Sequence, residues 1–579
     1  MNSEDKNCQN CKKDFTIVPE DFNFYEKIKV PSPTFCPWCR FIRRKAWRSD
    51  RVLYKRECDL CKKSIISMYP SDAPFPVYCN PCWWSDKWEA TDYAQEYNFF
   101  RPFFEQFQEL QNKVPRFHLW QRNAINSDYS NNVGESKNIY LSVSVVLQSE
   151  NIFYSKAIDS SFNVFDSLNL KHCENCYENI EGDRNYNSQY LHTCRNCIDS
   201  YFLFDCVNCS NCFMSSNLRN KQFCIRNKQY PKEDYLREMK KLDLNSRSNR
   251  QKFLVEFGKL REGSIHRFSN NVNAVNSTGN NLQNTKNCKQ CFDVYDAEDL
   301  KYCDRAFISR DGMDYDYGLG SELMYEYITG ASNAYNVRFS SSALNGGQNL
   351  EYIHSCLDLK NGFGCVGVKN KENVILNKVY PKQKFQKLRE KIIQHMNTMP
   401  YLGKNGRVYK YGEFFPIEIS PFAYNETPAQ EFEPLTKKEA IKKGYQWKDM
   451  EGKRFNITTP ADKIPDNINE VDEKILNEVL ACAHQDDCNH QCAIAFRITP
   501  GELQFYKKHN IPLPELCANC RYYERFNKVP LPKLYHRTCM CNLINHDHVN
   551  QCPNEFKTPY SPDRKEKVYC ERCYQQEVY

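Results

Sequence analysis

Between residues 116 and 398 the chain alternates short apolar pieces with polar breaks. Residues 139–146 read Ile-Tyr-Leu-Ser-Val-Ser-Val-Val, 152–154 Ile-Phe-Tyr and 162–165 Phe-Asn-Val-Phe, separated by Asn, Asp, Ser and Gly. Pieces rich in β-branched and aromatic residues, recurring every ten to thirteen positions, predict the stacked coils of a parallel β-solenoid. Asn suits the left-handed corners between faces and can pair with Asn in neighbouring coils. Two stretches change period: residues 232–241 and 382–396 are charged, helical in spacing and preceded by Pro231 and Pro381, a helix-start signal. Phe100, Phe103, Phe104 and Phe107 share one helical face and predict a buried connecting helix. Residues 399–475, with seven prolines, read as a linker holding a short helix at 437–443.

The middle is written twice. Residues 123–127 (Asn-Ala-Ile-Asn-Ser) return at 273–277 as Asn-Ala-Val-Asn-Ser, and the same shift of 150 carries Cys206, Asn211, Phe213, Asn227, Tyr230 and Pro231 onto Cys356, Asn361, Phe363, Asn377, Tyr380 and Pro381. Two tandem solenoid units are expected, 116–262 and 263–398. Cys173, Cys176, Cys194, Cys197, Cys206, Cys209 and Cys212 read as small residues filling a narrow interior, with zinc as the sharper alternative. Leu359 and Gly362 stand where Cys209 and Cys212 would recur, which favours packing. Asp293, Asp296, Glu298, Asp299, Asp304, Asp311, Asp314 and Asp316 read as a solvated face. The alternatives are a divalent-cation site or paired carboxylates for glycoside chemistry.

Cysteine changes the picture at the ends. The 579 residues hold 31 Cys but only 12 His, with no apolar run near 18 residues and hence no expected membrane span. The start, Met-Asn-Ser-Glu-Asp-Lys-Asn, has no secretory layout, so a reducing cytoplasm is expected, where paired Cys argue for metal rather than disulfides. Cys8, Cys11, Cys36, Cys39 and Cys58, Cys61, Cys79, Cys82 form two CxxC tetrads, the ligand set of structural zinc. A shift of 481 places Pro19, Tyr25, Cys36, Cys39 and Arg40 on Pro500, Tyr506, Cys517, Cys520 and Arg521. The other end therefore carries a second pair. Its third tetrad is Cys488 (or Cys482) with Cys492, Cys517 and Cys520; its fourth is Cys539 (or Cys541) with Cys552, Cys570 and Cys573. His484, His546 and His548 lie near enough to replace or add ligands. About four Zn2+ are expected.

Cys8, Cys11, Phe15, Ile17, Pro19, Glu20, Phe24, Tyr25, Cys36, Pro37, Cys39 and Arg40 resemble the small bacterial "probable zinc-ribbon" domain, over roughly 40 residues at each end. The whole arrangement resembles an uncharacterised zinc-ribbon/solenoid protein family of reduced-genome candidate-phylum bacteria, which implies organisation and no particular activity. The expected fold is mainly β: tandem parallel β-solenoid-like units flanked by paired treble-clef/zinc-ribbon modules, with short connecting helices. The expected divisions are ribbons at 1–90, an aromatic connecting helix at 91–115, the two solenoid units, the linker at 399–475 and ribbons at 476–579.

The formal charge is only +7, but eight of the residues 40–56 are basic against one acid. Arg40, Arg43, Arg44, Lys45, Trp47, Arg48 and Arg51 on a helix, with Arg521 and Arg525 as weaker counterparts, predict an arginine-rich face for phosphate and an aromatic for base stacking. The bland alternative is a solvated helix face. No P-loop, dinucleotide fingerprint, HExxH or GxSxG occurs, so an enzyme is the minority expectation. The leading expectation is a zinc-stabilised, non-catalytic nucleic-acid-binding protein, RNA favoured, with the solenoid as spacer. A protein-interaction scaffold is the alternative, and a solenoid hydrolase or lyase the third. On the RNA reading, Arg43→Glu or Arg44→Glu weakens binding with little change in stability.

Overall fold

The computed structural model describes residues 2–449, 455–544, 546 and 548–579. The protein is mainly β, with large curled parallel sheets and clusters of cysteine. Residues 121–229 build a sheet of 15 strands and residues 272–379 one of 12, almost all parallel. Successive parallel partners lie 11 to 13 residues apart, mostly 12 or 13: Val133 pairs with Val145, Val145 with Ile158 and Ile158 with Leu170. A second row runs Ile139, Ile152, Val164, Cys176. All eight side chains are buried in one cluster, so each strand contributes a single interior residue to a narrow core.

Left-handed backbone marks the corners. Asn138, Asn151, Asn163 and Asn175 have φ between +53° and +57°, a region Asn enters more readily than most residues. Their amides form a ladder, Asn138 Nδ2 donating to Asn151 Oδ1 (2.9 Å), Asn151 to Asn163 (2.9 Å) and Asn163 to Asn175 (3.0 Å). Asn163→Val removes two rungs and forces a β-branched residue into left-handed backbone. It is expected to cost about 2–4 kcal/mol, read as a fall in the urea midpoint, with Asn163→Gly losing much less.

The interior cysteines occupy serine slots. The Ser161 amide donates to Ser149 Oγ (3.2 Å), Cys173 to Ser161 Oγ (3.0 Å) and Cys197 to Asn185 Oδ1 (3.0 Å). Cys173 Sγ faces the Lys171 carbonyl at 3.2 Å, as Ser161 Oγ faces that of Asp159 at 2.7 Å. Each thiol is thus held by its own strand, two residues back.

Helices Lys232–Lys240 and Lys382–Thr398 follow Pro231 and Pro381, and Phe103–Lys113 buries Phe103, Phe104 and Phe107. Segment 399–475 contains the short helix Lys437–Lys442 but is no free linker. Its aromatics Tyr409, Phe414, Phe415 and Phe422 are buried, Trp47 stacks on Phe415 at 4.4 Å and Tyr69 on Phe422 at 5.2 Å. The prolines bend a strap that fills the space between the first module and the sheet. Among the described residues no helix is long and apolar enough to cross a membrane.

Candidate metal centres

Four short antiparallel hairpins each present two cysteines of a tetrad, and four helices close the groups. Glu4–Asn7 pairs with Asp14–Ile17 and Tyr54–Glu57 with Ser64–Ser67. In each turn a lysine, Lys12 or Lys62, takes φ of +61°. Leu480–Ala481 pairs with Ala495–Phe496 and Tyr535–Thr538 with Glu555–Thr558. Cys36, Cys79, Cys517 and Cys570 cap the four closing helices. The capping cysteine's amide donates 3.2 Å to Cys8, Cys58, Cys482 and Cys539 Sγ respectively.

That shared contact decides the third tetrad. Cys482, not Cys488, takes the place of Cys8, and the group is Cys482, Cys492, Cys517, Cys520. The reason is pairing: Cys482 leaves the hairpin directly after Ala481, its amide bonded to Ile494 O (2.8 Å), whereas Cys488 sits farther out in the loop. The fourth is Cys539, Cys552, Cys570, Cys573, and the first two are Cys8, Cys11, Cys36, Cys39 and Cys58, Cys61, Cys79, Cys82.

Within each tetrad every sulfur lies within 4.8 Å of the others. Cys11–Cys36 and Cys61–Cys79 are 3.7 Å apart, Cys482–Cys520 3.8 Å, and Cys492–Cys517 and Cys552–Cys570 3.9 Å. Four sulfurs bound tetrahedrally at about 2.3 Å stand about 3.8 Å apart, so the groups fit a structural metal ion. Cys8 and Cys517 are held well below the ordinary thiol range by neighbouring thiols, Cys36 and Cys39 for the one and Cys482 and Cys520 for the other. Cys61 is lowered to about 7, chiefly by the Lys63 amide. Each would bind metal as thiolate. All 31 cysteines are free of disulfides.

The basic residues are a correction to the sequence reading. The first closing helix is Pro37–Lys45, and Arg40, Arg43, Arg44, Lys45, Trp47 and Arg48 are all buried. Arg40 Nε meets Asp314 at 2.8 Å; Arg43 meets Glu326 at 2.7 Å and Glu413 at 2.9 Å. Arg44 meets Asp316 at 2.8 Å and Asp314 at 2.9 Å, and Lys45 meets Asp304 at 2.6 Å. Arg48 bonds Asp50 at 2.6 Å, and half-buried Arg51 lies 3.5 Å over the Tyr522 ring. The second pair is equally committed: Arg521 Nε to Asp166 (2.9 Å), Arg525 to Glu178 (2.6 Å) and Asp166 (3.1 Å). None of these buried groups is presented to a phosphate backbone. Trp47 is stacked in the core instead of offered to a base.

Asp304, Asp314 and Asp316 are accordingly buried counter-charges, not a solvated face or a catalytic pair, and Asp311 bonds Lys27 at 2.9 Å. Burial opposes the charge on Arg44, but Asp316 and Asp314 outweigh it and hold its proton more tightly than usual. Burial still raises the Asp316 and Glu326 carboxyls, the arginines offsetting only part of it. Lys156 missed notice in the sequence: it is buried between Asp50 (2.9 Å) and Glu431 (2.8 Å). No local signal marked it, because its partner Glu431 lies 275 positions away.

Comparison of the chain with protein-family models and with curated proteins finds no match.

Proposed function

We propose that this protein is a zinc-stapled, non-catalytic scaffold for protein partners. Its two parallel sheets are read as tandem coils of a β-solenoid related by internal duplication, and its four thiolate tetrads as zinc sites. One observation carries the reading. Position by position across neighbouring strands, Ile125, Lys137, Glu150, Phe162, Glu174, Tyr186, Ile198 and Ser210 stand side by side. Ile125, Phe162, Tyr186 and Ile198 in this row are 43–58% exposed. Strands about 4.8 Å apart set these side chains on a straight, rigid row flanked by the Asn ladder. Aromatic and aliphatic groups held on a rigid surface suit protein contact.

The duplication extends to the docking. The first module inserts Arg44 against Asp316 of the second sheet, and the third inserts Arg525 against Asp166 of the first. Arg44 and Arg525 differ by the ribbon shift of 481, and Asp166 and Asp316 by the sheet shift of 150. The modules are thus read as end braces. The RNA reading loses the side chains that motivated it, and free thiols support a reducing compartment.

Phe162→Lys/Tyr186→Lys is expected to abolish cross-linking of the intact protein to its protein partners while leaving its melting temperature within about 2 °C of wild type, since exposed substitutions are nearly neutral. Unchanged cross-linking, or RNA as the main co-purifying species, contradicts the scaffold.

A further inference from the structure

The two C-terminal tetrads differ from the N-terminal ones in one respect. Two residues separate Cys8 from Cys11 and Cys58 from Cys61, but nine separate Cys482 from Cys492 and twelve separate Cys539 from Cys552. Each added loop carries one cysteine and two histidines: His484, Cys488, His490 in one, Cys541, His546, His548 in the other.

Both loops fold back onto the last cysteine of their tetrad. His484, Cys488 and His490 place their ligand atoms within 4.8 Å of one another and of Cys520. Cys520 Sγ is 3.7 Å from Cys488 and 3.8 Å from Cys482, so it faces two sets of ligands at once. His484 Nδ1 and His490 Nδ1 are buried with no hydrogen-bond partner, and a neutral imidazole nitrogen so placed is ready to bind a metal. In the other loop Cys541 Sγ lies 3.2 Å from His546 Nδ1, and Cys573 Sγ 3.5 Å from His548 Nε2. The histidine rings of each pair are 5.6 Å apart in both loops. His546 Nε2 bonds the Glu577 carboxylate at 2.9 Å, the support that metal-bound histidines usually receive from behind.

We propose that the two C-terminal centres are dinuclear. Cys520 and Cys573 each bridge the tetrad's metal to a second divalent ion, held by His484, Cys488 and His490 in one centre and by Cys541, His546 and His548 in the other. A thiolate sulfur has lone pairs for two ions. Three further N/S ligands complete a tetrahedral set of the kind zinc prefers. Charge favours the arrangement: four thiolates around one divalent ion carry a net −2, whereas five thiolates, two neutral imidazoles and two ions carry −1. With every position filled by protein, the second ions are structural.

The proposal rests on the tetrads being metal sites, and the metal count separates the two. Elemental analysis of the desalted full-length protein is expected to give six zinc per chain. His484→Ala/His490→Ala and His546→Ala/His548→Ala are each expected to remove one, and the combined variant to retain four. Four in the wild type, unchanged in the variants, overturns the dinuclear centres and leaves the tetrads standing. Fewer than four in the wild type overturns both, and six that no histidine variant lowers overturns the ligand assignment. Cobalt(II)-substituted wild type needs no variant to fold. Thiolate-bridged ions couple, so the paramagnetic signal per cobalt should fall as loading passes from four to six; a constant signal contradicts the bridge.

Discussion

Arg44→Glu is expected to lower stability by at least about 3–5 kcal/mol, the range for removing one partner of a buried ion pair. The mutant places a fourth carboxylate among Asp314, Asp316 and Glu326, all with fully buried side chains. Water cannot screen the repulsion, and the first module has no other way to dock its helix against the second sheet without moving. Arg44→Met should fall within the same range, because it takes the closest cation from Asp316 and one of two from Asp314 without adding a fourth carboxylate. Arg44→Met combined with Asp314→Asn and Asp316→Asn should recover part of the loss, since removing both partners of a buried contact costs less than removing one. Arg525→Glu should repeat the effect at the other end, facing Asp166 and Glu178. Arg51→Glu, at a half-buried position, should cost less. Chemical denaturation of each variant measures the series. If Arg44→Glu unfolds at the wild-type midpoint, the helix is not docked as described.

The second large effect is expected on stripping the metal with a strong chelator. Structural zinc in small finger-like peptides contributes apparent free energies of about 10–16 kcal/mol, and these modules bury too little apolar surface to stand without it. The hairpins around Cys8, Cys58, Cys482 and Cys539 should become cleavable by protease first. The core of residues 121–229 should resist longer, because its cysteines bond their own strand carbonyls and its row of Val133, Val145, Ile158 and Leu170 needs no ion. Limited proteolysis with mass spectrometry before and after chelation gives the order. Simultaneous loss of modules and sheet would mean that Cys173, Cys194 and their neighbours are ligands after all.

Much of this was legible in the sequence because local periodicity and covalent spacing carried it. Apolar pieces recurring every ten to thirteen positions anticipated parallel strands, and CxxC spacing anticipated the first two tetrads in full while leaving Cys539 and Cys541 open in the fourth. Pro231 and Pro381 marked their helices because proline fixes the first helical dihedral. What escaped depended on contacts between distant residues. Arg40 and Asp314 are 274 positions apart, so a basic helix and an acidic strand each read alone as solvent-facing or ligand-facing. Segment 399–475 misled for the same reason: proline content suggested a linker, while Phe414 and Phe415 needed partners contributed by Trp47 and Phe107. Cys482 against Cys488 turned on which one continues a two-residue strand, a distinction finer than spacing alone can draw.

The burial of the basic helices is the point on which the functional reading turns, and co-purifying nucleic acid tests it most directly. The absorbance ratio at 260 and 280 nm, taken on the full-length protein purified at low salt and again after a high-salt wash, is expected to be that of protein alone in both samples. A high first ratio that falls on washing, the signature of phosphate contacts released by salt, would contradict the account.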